Sequence, residues 1–129
     1  MSKRVRRAIA HYGAGFPNDP PSSFYIQVID DSNDPRYQMG DILLVDPSLR
    51  PEQGDMVLLC HYASDSLIVR RFQQTGKRRC DFAALNVGWG VERLTKSQAR
   101  IVGVIAGYRR PVGEMAEKVR AEIRQREGL

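Results

Sequence analysis

From residue 24 to residue 108 the chain alternates short apolar, β-branched segments with dense clusters of turn formers, about ten residues apart. That rhythm constrains the fold more than any other feature. Several short strands at this spacing predict a closed or partly closed antiparallel sheet. Residues 24–29 read as the first strand and run into the turn cluster Asp30-Asp31-Ser32-Asn33-Asp34-Pro35. Residues 41–45 follow Gly40 and are closed by Asp46-Pro47, and residues 56–60 follow Gly54-Asp55. Residues 66–72 lead into the hairpin signal Gly76-Lys77, and residues 80–85 return. Residues 101–108 form the last strand, where Gly103 and Gly107 suggest a bend or a close backbone approach.

The ends read differently. Residues 1–12 can form a short helix with Val5, Ile9 and Tyr12 on one face. Gly13-Ala14-Gly15-Phe16-Pro17 and Asn18-Asp19-Pro20-Pro21 then break regular structure and predict an extended linker. After residue 112 the period changes to three and four. Val112, Met115, Val119 and Ile123 make one apolar stripe, with Glu114–Lys118 and Glu122–Arg126 as favourable pairs on the wet side. This amphipathic helix is expected to dock on the sheet or on a second subunit. The domain reading is therefore a basic arm and Gly/Pro linker over 1–21, a β domain over 22–112 and a C-terminal helix over 113–129.

With 129 residues there is room for one domain. No apolar run approaches the ~20 residues of a membrane helix, and the basic N-terminus lacks the apolar stretch of a secretory signal, so no membrane association and a cytoplasmic location are expected. The net charge of +5 is uneven. Lys3, Arg4, Arg6 and Arg7 stand in residues 1–12 with no acid, whereas residues 13–108 carry ten bases and eleven acids. A short basic arm of this kind either meets phosphate or is simply solvated. Cys60 and Cys80 are too few for a disulfide framework. Cys60 and His61 point to opposite faces of a strand and read as a packed thiol beside a surface imidazole. With His11 as the only other histidine, no metal set and no cofactor is expected. Trp89, between Gly88 and Gly90, is either a partner contact or a cover over one end of the sheet.

One ordered set of motifs resembles a known family. Asp31-Ser32-Asn33-Asp34-Pro35, then Gly40-Asp41-Ile42-Leu43-Leu44-Val45-Asp46-Pro47, then Gly54-Asp55-Met56-Val57, is similar to the LexA/UmuD self-cleaving serine peptidases. That family has the signal-peptidase-like fold of phage repressor C-terminal domains. The strand Ile68-Val69-Arg70-Arg71-Phe72, the Gly76-Lys77 turn and Gly103-Val104-Ile105 continue the match, which runs from about residue 24 to residue 110. It implies a mainly β fold, a twisted barrel of the LexA/UmuD C-terminal type with a C-terminal amphipathic helix.

In the family a serine attacks a peptide bond of its own chain and a buried lysine takes the proton. A hydroxyl needs such a base, and a lysine serves only if burial leaves it neutral. Carried across, Ser32 falls on the nucleophile and Arg70 on the lysine. A guanidinium does not give up its proton inside proteins, so Arg70 cannot be the base. Asp30 replaces a family glycine and stands where it can pair with Arg70, and Asn33 replaces a methionine. Ser32 is then read as a turn hydroxyl capping a backbone N–H. Ala14-Gly15-Phe16-Pro17 resembles the family's cleavage site, but Ser32 lies only seventeen positions after Gly15, and prolines stiffen the stretch.

The resemblance thus implies a degenerate domain serving as a regulatory or dimerisation module of SOS, phage or mobile-element type. A homodimer is expected, with a recombinase filament, a polymerase or a repressor as protein partner. Twelve residues before the linker are too few for the helix-turn-helix of LexA-like repressors, so any DNA would be met by the basic arm or through a partner. The rival readings are an active serine autopeptidase, a UmuD-like polymerase accessory subunit, and direct nucleic-acid binding through residues 3–7 and 77–79.

Overall fold

A computed structural model describes residues 22–128. Seven strands, β1 (Phe24–Gln27), β2 (Ile42–Asp46), β3 (Met56–His61), β4 (Ser66–Gln74), β5 (Arg79–Ala83), β6 (Val91–Thr95) and β7 (Ala99–Arg109), precede one helix, α1 (Gly113–Glu127). They form a single antiparallel sheet in the order β1-β2-β7-β3-β4-β5-β6. The fold is mainly β, a curled half-barrel whose edges are β1 and β6.

The two Gly-Asp pairs launch their strands by one device. Gly40 and Gly54 have φ of +97° and +89°, a region that only glycine enters at little cost. The aspartate that follows reaches back: Gln38 N–H donates to Asp41 Oδ2 at 2.9 Å, and Glu52 N–H donates to Asp55 Oδ2 at 2.8 Å. Each carboxylate thus closes its own turn, and the next residue enters an extended strand. Asp41 is fully buried, and the guanidinium of Arg110 compensates its charge at 2.8 Å.

The apolar runs in the middle of the chain are buried on both faces. On β3, Met56 and Leu58 join a cluster with Phe24, Ile26, Tyr37, Leu43 and Val45, whereas Val57 and Leu59 join a second with Phe72, Phe82, Leu94 and Val104. Bulges between Leu44 and Val45 and between Leu58 and Leu59 bend the sheet around these two cores. Gly103 is needed at the bend, because a Cβ there would stand 2.8 Å from Val45 Cγ1 and 2.9 Å from the Asp46 carbonyl oxygen.

Several boundaries differ from expectation. The first strand stops at Gln27, two residues early, while β4 and β7 run longer than their apolar segments. Strand β6 was not foreseen. It is an edge strand with one buried side chain, Leu94, so Val91-Glu92-Arg93 carries little hydrophobic signal. The helix corrects the expected stripe. Ala116 and Ile123 are buried and Val119 is half-buried, but Met115 is 59% exposed and Val112 78%. The face is rotated because α1 lies over the Gly40 turn, where Val119 Cγ1 comes within 3.1 Å of the space a Cβ would fill. Arg126 also donates to Gln27 Oε1 at 2.8 Å, so the helix docks on its own sheet.

Candidate functional site

Ser32 lies in the turn cluster after β1 and is buried, 3% exposed. Its backbone N–H and its Oγ–H both donate to Asp30 Oδ1, at 3.0 and 2.6 Å. The same arrangement recurs at Asp46-Pro47-Ser48, where both groups of Ser48 donate to Asp46 Oδ1 at 2.9 and 2.6 Å. There it merely closes an exposed turn after β2. The Asp-x-Ser contact is thus a local turn motif and not by itself a mark of catalysis.

What distinguishes Ser32 is Arg70. Strand β4 carries Arg70 into the interior at 5% exposure, and its Nη1 donates to Ser32 Oγ at 3.1 Å and to the Val69 carbonyl at 2.8 Å. Structure and sequence reasoning agree that these two positions meet, although they are 38 residues apart. The expected pairing of Asp30 with Arg70 is corrected in one respect. Among the described residues the two form no direct ion pair, and the Ser32 hydroxyl stands between them, donating to one and accepting from the other. Burial lowers the proton affinity of Arg70, and the nearby charges of Asp30 and Glu92 oppose that. A guanidinium in this setting remains a cation.

Three further residues hold the loop, and sequence reasoning gave them no such role. Asn33 is buried, and its amide donates to the Val69 carbonyl at 2.7 Å while its oxygen accepts from Leu85 N–H at 3.1 Å. It stitches the serine turn to β4 and to the segment after β5. Asn86 donates through its backbone to the Ser32 carbonyl at 2.9 Å and through its side chain to the Asp31 carbonyl. Trp89 does not simply cover one end of the sheet. It stays half-exposed, its indole N–H donates to Asp31 Oδ1 at 2.9 Å, and the Arg70 guanidinium lies 5.8 Å from its ring centre. No local signal in the chain announces these contacts, since the partners lie dozens of residues away.

Beside the serine opens an apolar cleft between the β1 side and β4, lined by Ile26, Val28, Ile29, Leu67, Ile68 and Val69, with Asp30 and Ser32 also on its wall. The cleft is small and sets an apolar wall next to a hydroxyl. That hydroxyl already donates its proton to a carboxylate and accepts a hydrogen bond from a cation. An attacking oxygen needs a free lone pair and a base able to take the proton. Arg70 takes one of the two lone pairs on Oγ and is not itself a base.

Elsewhere, His61 is not the surface imidazole expected. Ser64 N–H donates to its Nδ1 at 3.1 Å, which makes that nitrogen the acceptor, and Nε2 lies 3.1 Å from Glu92 Oε2. Cys60 faces the first core, and burial raises its thiol above the ordinary range. Residues Lys3, Arg4, Arg6 and Arg7 of the basic arm, and Ala14 and Gly15 of the cleavage-like motif, lie outside the described residues. No described helix is long and apolar enough to cross a membrane. A family model described as Peptidase S24-like matches residues 4–106. No curated protein matches the chain.

Proposed function

The chain belongs to the Peptidase S24-like family, and from that premise we propose that it is a LexA/UmuD-type domain whose serine site no longer cuts. It serves instead as a regulatory and dimerisation module of SOS, phage or mobile-element type. The observation that carries this reading is the hydrogen bond from Arg70 Nη1 to Ser32 Oγ. Under the family resemblance Arg70 stands in the place of the lysine base, and a guanidinium there holds the hydroxyl without being able to deprotonate it.

The rival is an active autopeptidase in which Asp30 takes the serine proton. The 2.6 Å contact from Ser32 Oγ to Asp30 favours it. The twin contact at Asp46 and Ser48 weighs against it, since the same geometry there is a turn cap. A carboxylate beside the serine would also oppose the oxyanion that forms during attack.

Intact mass after prolonged incubation tests the proposal. At about pH 10 a lysine with its reference pKa of ~10.4 is substantially deprotonated while an arginine is not, so the wild-type chain should keep its mass. Arg70→Lys should also stay intact, because Ser32 lies only seventeen positions after Gly15 in the sequence, with Pro17, Pro20 and Pro21 between them, while slow cutting of an added peptide is expected. Scission of the wild-type chain after Ala14 that Ser32→Ala abolishes would overturn the reading and leave Asp30 as the base. Sedimentation across a concentration series tests the homodimer.

A further inference from the structure

The antiparallel register gathers a set of cations that are scattered in the chain. Residues Arg71, Ala83 and Val91 stand opposite one another across β4, β5 and β6, as do Gln73, Asp81 and Arg93, and β5 residue Arg79 stands opposite Thr95. The alternate rows hold Phe72, Phe82, Cys80 and Leu94, which face the second core. Side chains alternate along a strand, so Arg71, Arg79 and Arg93 share the opposite, outward face. All three are exposed, and the hairpin tip adds Lys77 and Arg78, also exposed. The acid within this face is Asp81, already 3.7 Å from Arg93. Glu52 and Asp55 also lie near this surface, in the turn beside Phe72 and Gln74 at the tip end of β4, where the Asp55 carboxylate accepts from the Glu52 N–H.

We infer that the β4–β5 hairpin and the outward face of β4 to β6 form a phosphate-binding surface for duplex nucleic acid, read without base specificity. Strand spacing sets the geometry. Neighbouring strands lie about 4.8 Å apart and alternate residues along a strand about 6.7 Å apart, so these guanidinium groups reach several successive backbone phosphates. A two-stranded ribbon also has the width that a major groove of about 12 Å admits. The chemistry points away from other anionic partners. The tip, Gln74-Thr75-Gly76-Lys77-Arg78, has no apolar side chain to enter a membrane. A protein interface would need an apolar centre, and on this face only Val91, at one end, is large, apolar and exposed. The inference does not depend on whether Ser32 is active.

Fluorescence anisotropy of the full chain with a labelled duplex of about 20 base pairs should show binding that weakens with salt, because each neutralised phosphate contributes about 0.9 to the slope of log affinity against log salt. The triple variant Lys77→Gln, Arg78→Gln, Arg79→Gln should lower that slope by about 2 to 3 and leave the thermal melt unchanged, as the replaced side chains are exposed. Replacing Arg120 and Arg124 of the helix by Gln should leave the slope as it was. An unchanged slope in the triple variant, with binding lost only when Lys3, Arg4, Arg6 and Arg7 are neutralised, would overturn the inference. Binding to phosphatidylserine vesicles but not to the duplex would overturn it equally.

Discussion

Ile123→Ala and Met115→Ala give opposite answers if the helix docks as described, although helical periodicity puts both residues on one stripe. Ile123 is 1% exposed on the buried face of α1, whereas Met115 is 59% exposed. Truncating Ile123 removes three carbons from a closed site, at about 0.8 kcal/mol each, and leaves a cavity that raises the loss to about 3 kcal/mol within a usual range of 2–5. Truncating Met115 removes mostly wet surface from a good helix position and should fall within about 0.5 kcal/mol. Urea unfolding followed by circular dichroism reads both, as a shift of midpoint at constant slope. For a domain of this size the Ile123 variant should melt roughly 10 °C below wild type. The measurement is made at two protein concentrations, since a helix docked on its own sheet gives the same loss at each. Equal losses for the two variants, or a loss for Ile123→Ala that vanishes on dilution, would refute docking in cis.

Arg70→Ala should cost about 2–4 kcal/mol, because it strips the hydrogen bonds to Ser32 and Val69 and opens a hole beside Trp89. Arg70→Met keeps volume without a buried charge and should be more stable than Arg70→Ala by at least about 1 kcal/mol; equal urea midpoints would count against packing as the larger effect. Gly103→Ala should cost about 1–3 kcal/mol, since its Cβ meets the Asp46 backbone at 2.9 Å, and an unchanged thermal melt would mean β7 does not press on β2 there. Burial raises the thiols of Cys60 and Cys80, so the folded chain keeps them protonated where the unfolded chain ionises. Their contribution is complete below about pH 8.5 and is lost as pH rises through the folded values, so the urea midpoint should fall between about pH 7 and 9.5. The double variant Cys60→Ser, Cys80→Ser should show a smaller fall.

Much of the architecture was legible in the chain because its signals are local. Gly40-Asp41 and Gly54-Asp55 each combine a glycine that tolerates positive φ with a carboxylate that closes the turn behind it, so the starts of β2 and β3 follow from four residues. The meeting of Ser32 and Arg70 was legible only through the ordered resemblance to a family, since nothing near either residue names the other. Strand β6 escaped because an edge strand buries one side and leaves a weak pattern. The helix face escaped because periodicity places residues on a stripe but does not say which part of it meets the sheet; Ala116, small and unremarked, took the place expected of Met115. The character of the serine site was settled by tertiary contact alone. Asn33 and Asn86 tie the loop to distant strands, Trp89 lies against Arg70, and the hydroxyl sits between a carboxylate two residues away and a guanidinium 38 residues away. Turn and strand preferences act over a few neighbouring residues and can be read in order, whereas a buried polar site depends on which donors and acceptors folding brings within 3 Å, and that is a property of the packed sheet.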